Sequence, residues 1–153
     1  MTRPKKILVA YDGSAQSKEA LSWAIDLSHL SGAPVIAVKV VEPVEMNRAY
    51  ALYEAGYGAT LGERFAEMHK IDVEQMAEAL EVGRKQGIEI KTEMLRGNIS
   101  GGIIDYATQN GVDLIVAGTK GHGALEELLM GSVARNLVSL SHIPVLVVKE
   151  PSE

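Results

Sequence analysis

A cluster of glycines in the second half of the chain is the part of the sequence best suited to binding chemistry. Three glycines fall within the six residues of Gly118–Gly123, and another, Gly131, stands directly before a serine. Glycine allows positive φ and lets the backbone approach a bulky group without a Cβ in the way. Lys120 and His122 supply positive side-chain charge nearby. These residue types at this spacing predict a loop that holds an anion.

A helix is predicted to start immediately after Gly131. Val133, Leu137 and Leu140 lie at helical spacing, and Ser132 is suited to act as the N-cap. The first turn of a helix has unpaired N–H groups and about half a positive charge, so it favours phosphate. A local device of this kind is needed, because the chain has a net charge of −5.

The glycine cluster does not match the standard phosphate-binding motifs. Gly123 is followed by Ala-Leu where the P-loop has Lys-Ser or Lys-Thr, and Glu126 stands where a dinucleotide fingerprint needs glycine or alanine. A tight strand-to-helix turn without a ligand is the competing interpretation. Asp12, after the first apolar run, is equally well explained as a helix-capping or turn aspartate or as a ligand contact, and both roles are compatible.

The elements that must position these residues alternate between short apolar strands and amphipathic helices. Glycine or proline follows several of them and marks their ends. The predicted strands are Lys6–Tyr11, Val35–Val41, Ile88–Leu95, Leu114–Gly118 and Val145–Lys149, and the predicted helices are Ser17–Ser31, Gly62–Gln86, Ser100–Asn110 and Ser132–Ser141.

This alternation predicts an α/β fold with a doubly wound, five-stranded parallel sheet covered by helices on both faces. Strands one, two and four are the most apolar and strand three alternates with charges, which favours the Rossmann-like order 3-2-1-4-5 with strand three at an edge. Ligands bind such sheets at the carboxyl ends of the strands, where the chain order reverses. Here that crevice lies between strands one and four, where the turn after Tyr11 meets the glycine cluster.

Residues 44–61 do not fit the alternation and contain three of the five tyrosines. They are interpreted as a variable surface segment within a single domain over residues 1–153, with a lid or dimer contact as the alternative. On the second predicted helix, Phe65, Met68, Met76, Ala79 and Leu80 form the expected inward stripe. Trp23, on the first, is expected to pack rather than to stack on a base.

Composition excludes several classes of function. There is no cysteine, so disulfides and thiolate metal sites are absent, and the four histidines show no metal-ligand spacing. No apolar run is long enough to span a bilayer, and no basic cluster extends beyond two residues. We therefore expect a cytoplasmic protein that binds neither a membrane nor nucleic acid.

The spacing Gly118-x2-Gly121-x9-Gly131-Ser132 closely resembles the ATP-binding signature of the universal stress protein family. The resemblance covers most of the chain and departs from it only at residues 44–61. Its other matching segments are Tyr11–Ser14, Val40–Pro43, Gly97, Ile99, Gly111–Gly118 and Ile143–Lys149.

The resemblance implies a five-stranded α/β protein of the adenine nucleotide alpha hydrolase-like type that binds ATP. It also implies a homodimer paired through the last strand, Val145–Lys149. Base and ribose would lie at Ala10 and Asp12, with adenine against the backbone of Val40. Ribose and phosphates would follow Gly118, Thr119, Lys120, Gly121, His122 and Gly123, and Gly131, Ser132 and Val133 would close on the phosphates.

Mg²⁺ or Mn²⁺ is expected with the phosphates, and Glu126 or Glu127 is a conceivable ligand. The sequence contains a phosphate cradle without an arrangement that orients a nucleophile, so no catalytic residue is assigned. We expect a nucleotide-responsive stress regulator with at most slow ATP hydrolysis. The alternatives are a nucleotide hydrolase or transferase on the same fold, and an interaction module that binds AMP or a cyclic nucleotide.

Overall fold

A computed structural model describes residues 3–43, 48, 51, 53–120 and 130–150. Within these ranges, strands and helices alternate along the chain as the apolar pattern predicts. In chain order they are β1 (Ile7–Ala10), α1 (Ala15–Ser31), β2 (Val35–Val41), α2 (Gly58–Lys85), β3 (Ile90–Arg96), α3 (Ile99–Gln109), β4 (Leu114–Gly118), α4 (Ser132–Leu140) and β5 (Val145–Val148).

The strands form one parallel sheet in the order β3-β2-β1-β4-β5, which confirms the predicted fold class and topology. The first strand occupies the centre: Val9 of β1 is in register with Ala37 of β2 on one side and with Val116 of β4 on the other. The chain order reverses between β1 and β4. Their carboxyl ends, at Ala10 and Gly118, therefore border the predicted crevice.

The core has two layers because neighbouring strand residues point to opposite faces of the sheet. On one face, Ile7 and Val9 pack with the apolar side of α1 and the second half of α2. On the other face, Leu8 and Ile115 pack with α3 and α4. Both faces of the central strands are thus buried, as continuous apolar runs predict.

Helix α1 starts at Ala15, two residues before the predicted Ser17, and ends at Ser31 as predicted. Ser14 is the N-cap and accepts a hydrogen bond from the Ser17 amide. Gly32 ends the helix with φ 78°, in the left-handed region that glycine adopts without strain. Trp23, which was expected to pack, is 48% exposed, so only about half of its surface is covered by the protein. Its neighbour Ala24 faces the sheet instead.

Helix α2 begins at Gly58 rather than at the predicted Gly62, and a kink precedes it at Gly56, whose φ of 98° is not helical. Residues 58–61 were predicted to belong to the variable surface segment, whereas they form the first turn of the helix. Its stripe also differs from the prediction, since Leu80 is 42% exposed. The buried line continues from Ala79 to Gly83, four residues on, which is the helical repeat.

The length of α2 exceeds that of the strands it covers. Its 28 residues extend about 42 Å at 1.5 Å per residue, against about 23 Å for the seven residues of β2. Gly83 lies against Ile90 at the amino end of β3, so the second half of α2 covers the sheet. Its first turns therefore project past the carboxyl edge, where the crevice lies.

The remaining predictions concern strand β3, the variable segment with the single domain, and membrane-spanning helices. Strand β3 starts at Ile90, two residues later than predicted, and stands at the sheet edge as expected. Most of residues 44–52 lie outside the described ranges, so the variable segment and the single domain over 1–153 stay predictions. Among the helices of the described ranges, none is long and apolar enough to cross a membrane.

Candidate functional site

The turn between β1 and α1 forms one wall of the crevice. Asp12 accepts a hydrogen bond through Oδ1 from the Ser14 amide at 2.9 Å. Ser14 in turn caps α1, and the Ser17 hydroxyl donates to the Ser14 carbonyl at 3.0 Å. Gly13, between Asp12 and Ser14, has φ 81°. Asp12 thus stabilises the turn before α1 and is not the cap of the helix, which agrees with its interpretation as a turn aspartate. It lies at the carboxyl edge, where a ligand contact would require it.

The opposite wall is built where β4 ends and α4 begins. The Thr119 amide donates to the Val148 carbonyl at 3.0 Å, which extends the sheet by one residue beyond Gly118. The Gly131 amide donates to the Thr119 carbonyl at 2.6 Å. This second bond joins the two ends of the glycine-rich loop, so Thr119 and Gly131 lie side by side at the crevice.

Gly118 and Gly131 are glycines for different reasons. A Cβ on Gly118 would lie 2.6 Å from Gln16 Cβ and 2.9 Å from the Gln16 carbonyl carbon, so Gly118 lets α1 approach the end of β4. A Cβ on Gly131 would meet the Thr119 oxygen at 3.3 Å and Lys120 Cα at 3.5 Å. Close approach within the protein thus accounts for Gly118 without a ligand.

The N-terminus of α4 is capped differently from the prediction. Gly131, with φ −62° and ψ 163°, is the N-cap, and Ser132 is the first helical residue, so the assignment of Ser132 as N-cap is wrong. Among the described side chains, none caps this helix with a hydrogen bond. The amides of Ser132, Val133 and Ala134 have no acceptor within the helix. Ser132 is exposed, whereas Val133 packs on the core and offers the crevice only its main chain.

Val40 lies beyond the end of β1 and turns its main chain toward the crevice. The Tyr11 amide donates to the Val38 carbonyl, whereas the Gly97 amide donates to the Val41 carbonyl on the opposite side. Because the hydrogen-bonding direction alternates along a strand, Val40 faces the β1 side as Val38 does. Its side chain is 8% exposed and packs on α3. A contact from Val40 therefore has to be made by its backbone.

Nine of the twelve predicted site residues occupy this one edge of the sheet. They come from the β1 turn, the end of β2, the end of β4 and the start of α4. They are Ala10, Asp12, Val40, Gly118, Thr119, Lys120, Gly131, Ser132 and Val133. The other three, Gly121, His122 and Gly123, lie outside the described residues, as do Glu126 and Glu127.

Two features beside the turn were missed by sequence reasoning. Tyr11 is 2% exposed and its hydroxyl has no hydrogen-bond partner among the described residues. Burial, together with the charges of Glu78 and Asp12, raises the pKa of Tyr11 to about 12. Lys39 of β2 places its ammonium group against Asp72 and Gln75 of α2. A lone lysine in the apolar run Val35–Val41 was the signal for this contact.

Across residues 3–43, 48, 51, 53–120 and 130–150, no group of three or more histidine, aspartate or glutamate side chains lies close enough together to hold a metal ion. A divalent ion in this region would be held by fewer than three described side chains of these types.

These features define a doubly wound α/β protein with backbone amides collected at the switch point of the sheet. Residues 4–149 match the universal stress protein family. The chain is 35% identical over 149 residues to the universal stress protein MJ0531 of Methanocaldococcus jannaschii, covering 97% of this chain and 84% of that relative. The chain belongs to the universal stress protein family.

Solved structures of relatives share the fold over nearly the whole chain. The structure of MJ0577 from M. jannaschii superposes with a TM-score of 0.81 at 27% identity and covers 97% of this chain and 98% of that one. A universal stress protein from Archaeoglobus fulgidus in complex with dAMP superposes with a TM-score of 0.67 at 26% identity, covering 94% and 97%.

Proposed function

We propose that this protein binds ATP at the carboxyl edge between β1 and β4 and acts as a nucleotide-responsive regulator in a stress response. The observation that carries the proposal is the convergence of the Asp12 turn, Thr119 and the uncapped start of α4 at Gly131. A relative with the same fold has been crystallised with an adenine nucleotide, dAMP, which supports this class of ligand.

The phosphates would be held by main-chain amides at the start of α4, aided by Lys120 and His122. Helix N-termini attract anions through unpaired amides and the helix dipole, which makes phosphate binding compatible with a net charge of −5. The base and ribose would lie toward Ala10, Asp12 and the backbone of Val40. Gly121 and Gly123 complete the proposed loop.

Mg²⁺ or Mn²⁺ would accompany the triphosphate and bind chiefly to its oxygens. Such an ion neutralises phosphate charge when bound. The protein contributes the amides that orient the chain of phosphates. We propose hydrolysis that is slow at most, so a turnover above about 1 s⁻¹ would favour the hydrolase or transferase alternative.

We further propose a homodimer paired through β5 and its continuation, Val145–Lys149. Strand β5 has a neighbour, β4, on one side only within the described sheet. An apolar edge strand is a template for pairing with a second copy. A cytoplasmic location and the absence of membrane and nucleic-acid partners stay predictions from the sequence.

Binding is tested by calorimetric titration with ATP, AMP and cyclic AMP and by the melting temperature with each nucleotide. At ~100 times Kd, a ligand adds about 2.7 kcal/mol to the free energy of unfolding. For a domain of this size we expect a rise in Tm of about 5 to 10 °C. No rise, together with no adenine nucleotide in the purified protein by mass spectrometry, contradicts the proposal. Binding of AMP or cyclic AMP but not ATP favours the interaction-module alternative.

The loop is tested by Gly131→Val, which places a branched side chain against the Thr119 carbonyl and over the first amides of α4. We expect ATP binding to be abolished, while the circular dichroism spectrum stays that of the wild type. Ser139→Val, at the exposed far end of the same helix, is the matched control and should bind normally. Normal ATP binding by Gly131→Val would refute this placement of the phosphates.

A further inference from the structure

An ion pair joins strand β2 to helix α2 just below the carboxyl edge of the sheet. The Lys39 ammonium donates to Asp72 Oδ1 and to Gln75 Oε1, each at 2.5 Å. The Lys39 and Asp72 side chains are only 15% and 17% exposed. Loss of either partner would leave an unpaired charge in a site with little water. The pair, with its additional hydrogen bond, therefore favours one geometry.

The same arrangement fixes the side chain of Gln75 against the turn after β1. A Cβ built on Gly13 would lie 2.7 Å from Gln75 Nε2 and 2.8 Å from Gln75 Cδ, so the amide lies directly on the glycine backbone. Gly13 has φ 81°, a conformation that depends on glycine. The terminal amide of Gln75 thus accepts a hydrogen bond from Lys39 through Oε1 and covers the Gly13 backbone with Nε2 and Cδ.

Gly13 stands between the two residues whose hydrogen bond shapes the turn, since Asp12 Oδ1 accepts from the Ser14 amide. A shift of Gly13 therefore moves the Asp12 carboxylate and the cap of α1 together. The described contacts form a continuous path from Lys39 through Gln75 and Gly13 to Asp12. Asp72 and Gln75 lie where α2 passes the carboxyl edge.

We propose that Lys39 and Gln75 are positioning residues for the Asp12 turn, and that they couple helix α2 to the base and ribose end of the ligand site. This inference rests on the proposed function, because it assigns Asp12 to nucleotide binding. Neither residue is assigned a contact with the nucleotide. They act on the site by fixing the position of the turn. A displacement of α2 at Asp72 would therefore change the position of Asp12.

The first test is the affinity of Lys39→Met and Gln75→Ala for ATP and for AMP, measured by calorimetry well below the melting temperature. We expect Kd to rise about 3- to 30-fold, as for substitutions that act through intervening contacts. The factor should be the same for both nucleotides, because Asp12 is at the end that they share. Lys39→Arg keeps a cationic donor for Asp72 and Gln75 but has a larger, planar group, so its Kd should lie between those of Lys39→Met and the wild type.

The matched control is Lys18→Met. Lys18 also joins α2 to another element through an ion pair, with Glu78 at 3.1 Å, but this pair is half-exposed and is described in no contact with Gly13. An exposed pair contributes little to stability, so its loss should leave nucleotide affinity within about twofold. Equal losses in Lys18→Met and Lys39→Met would show that general loosening of α2 explains the effect and would overturn the proposal.

The second test needs no ligand. In the amide spectrum of the free protein, Lys39→Met should shift the Gly13 and Ser14 resonances clearly more than Lys18→Met does. Unchanged resonances would overturn the positioning role, as would normal affinity in Lys39→Met when the wild type binds. If the wild type binds no nucleotide, the proposed function fails and the coupling to a nucleotide fails with it. The amide shifts then decide only whether Lys39 positions the turn.

Discussion

Tyr11 has a hydroxyl group that the fold buries without a partner among the described residues, directly before Asp12. An unpaired buried hydroxyl costs stability, whereas the ring around it contributes to the core. Burial and the nearby carboxylates of Glu78 and Asp12 disfavour ionisation, which is why the pKa of Tyr11 rises to about 12.

The raised pKa predicts a pH dependence of stability above neutrality. An unfolded tyrosine ionises near pH 10, so above that pH the unfolded chain releases the proton while folded Tyr11 keeps it. The stability linked to this proton is complete below about pH 10 and is lost as the pH rises toward 12. Across this pH range, the free energy of unfolding should fall by about 2 to 3 kcal/mol through Tyr11 alone.

Tyr11→Phe removes both the unpaired hydroxyl and its titration. We expect equal or greater stability than the wild type at pH 7, by up to about 1 kcal/mol. Between pH 10 and 12, stability should fall less steeply in the variant than in the wild type. Urea denaturation at a series of pH values measures both effects. Parallel pH curves would show that Tyr11 titrates normally.

At the scale of elements, α4 differs from α1 and α3 at its start. Ser14 and Asn98 cap those two helices with side-chain oxygens, whereas α4 begins at Gly131 without a side-chain cap from the described part of the chain. If the uncapped amides serve a phosphate, a negative charge supplied by the protein should compete with the ligand.

Ser132→Asp tests this competition. A carboxylate in the first turn of a helix stabilises it by about 0.3–1 kcal/mol, so the ligand-free protein should melt higher. The same charge repels phosphate, so ATP affinity should fall. Ser139→Asp, near the C-terminus of the helix, should lower the melting temperature and leave affinity unchanged. Higher or unchanged ATP affinity in Ser132→Asp would contradict phosphate binding at this terminus.

Sequence reasoning was most successful for strands with a clear apolar pattern, either continuous or alternating with charged residues. The continuous apolar runs gave β2 and β4 with their observed bounds, and the half-charged run gave the edge strand β3. The predicted start of α2, Gly62, was four residues too late, because local propensity favours a loop at the preceding glycines. The N-cap of α4 was wrong because serine is the commoner cap, whereas the extended backbone at Gly131 places the cap one residue earlier.

The candidate site was partly predictable for the same reason. Topology and glycine spacing located the edge of the sheet, since the switch point follows from strand order. The packing contacts were not predictable, because they join residues far apart in sequence. Gly118 against Gln16 is one example, and Lys39 against Asp72 is the other.

For the molecule as a whole, the open edge of β5 decides how two copies would pair. The Thr119 amide donates to the Val148 carbonyl, and the Ile115 amide donates to the Pro144 carbonyl. Because the direction alternates along a strand, Val145 and Val147 turn their main-chain groups away from β4, toward the open side. These are the groups that a second copy would use.

Val147→Pro removes an outward N–H without removing a bond to β4. Proline is tolerated on edge strands for this reason, so the monomer should stay folded. We expect the wild type to sediment as a dimer and Val147→Pro as a monomer, with Val147→Thr as the control that keeps the N–H. A monomeric wild type, or a Val147→Pro variant that sediments as the wild type does, would contradict pairing through β5.

The bond from the Gly131 amide to the Thr119 carbonyl uses main-chain atoms only. Side-chain substitutions at either residue therefore keep its donor and its acceptor, with the exception of proline at position 131, because proline has no N–H. The place where the two ends of residues 119–131 are joined to each other is thus insensitive to most sequence change at these two positions.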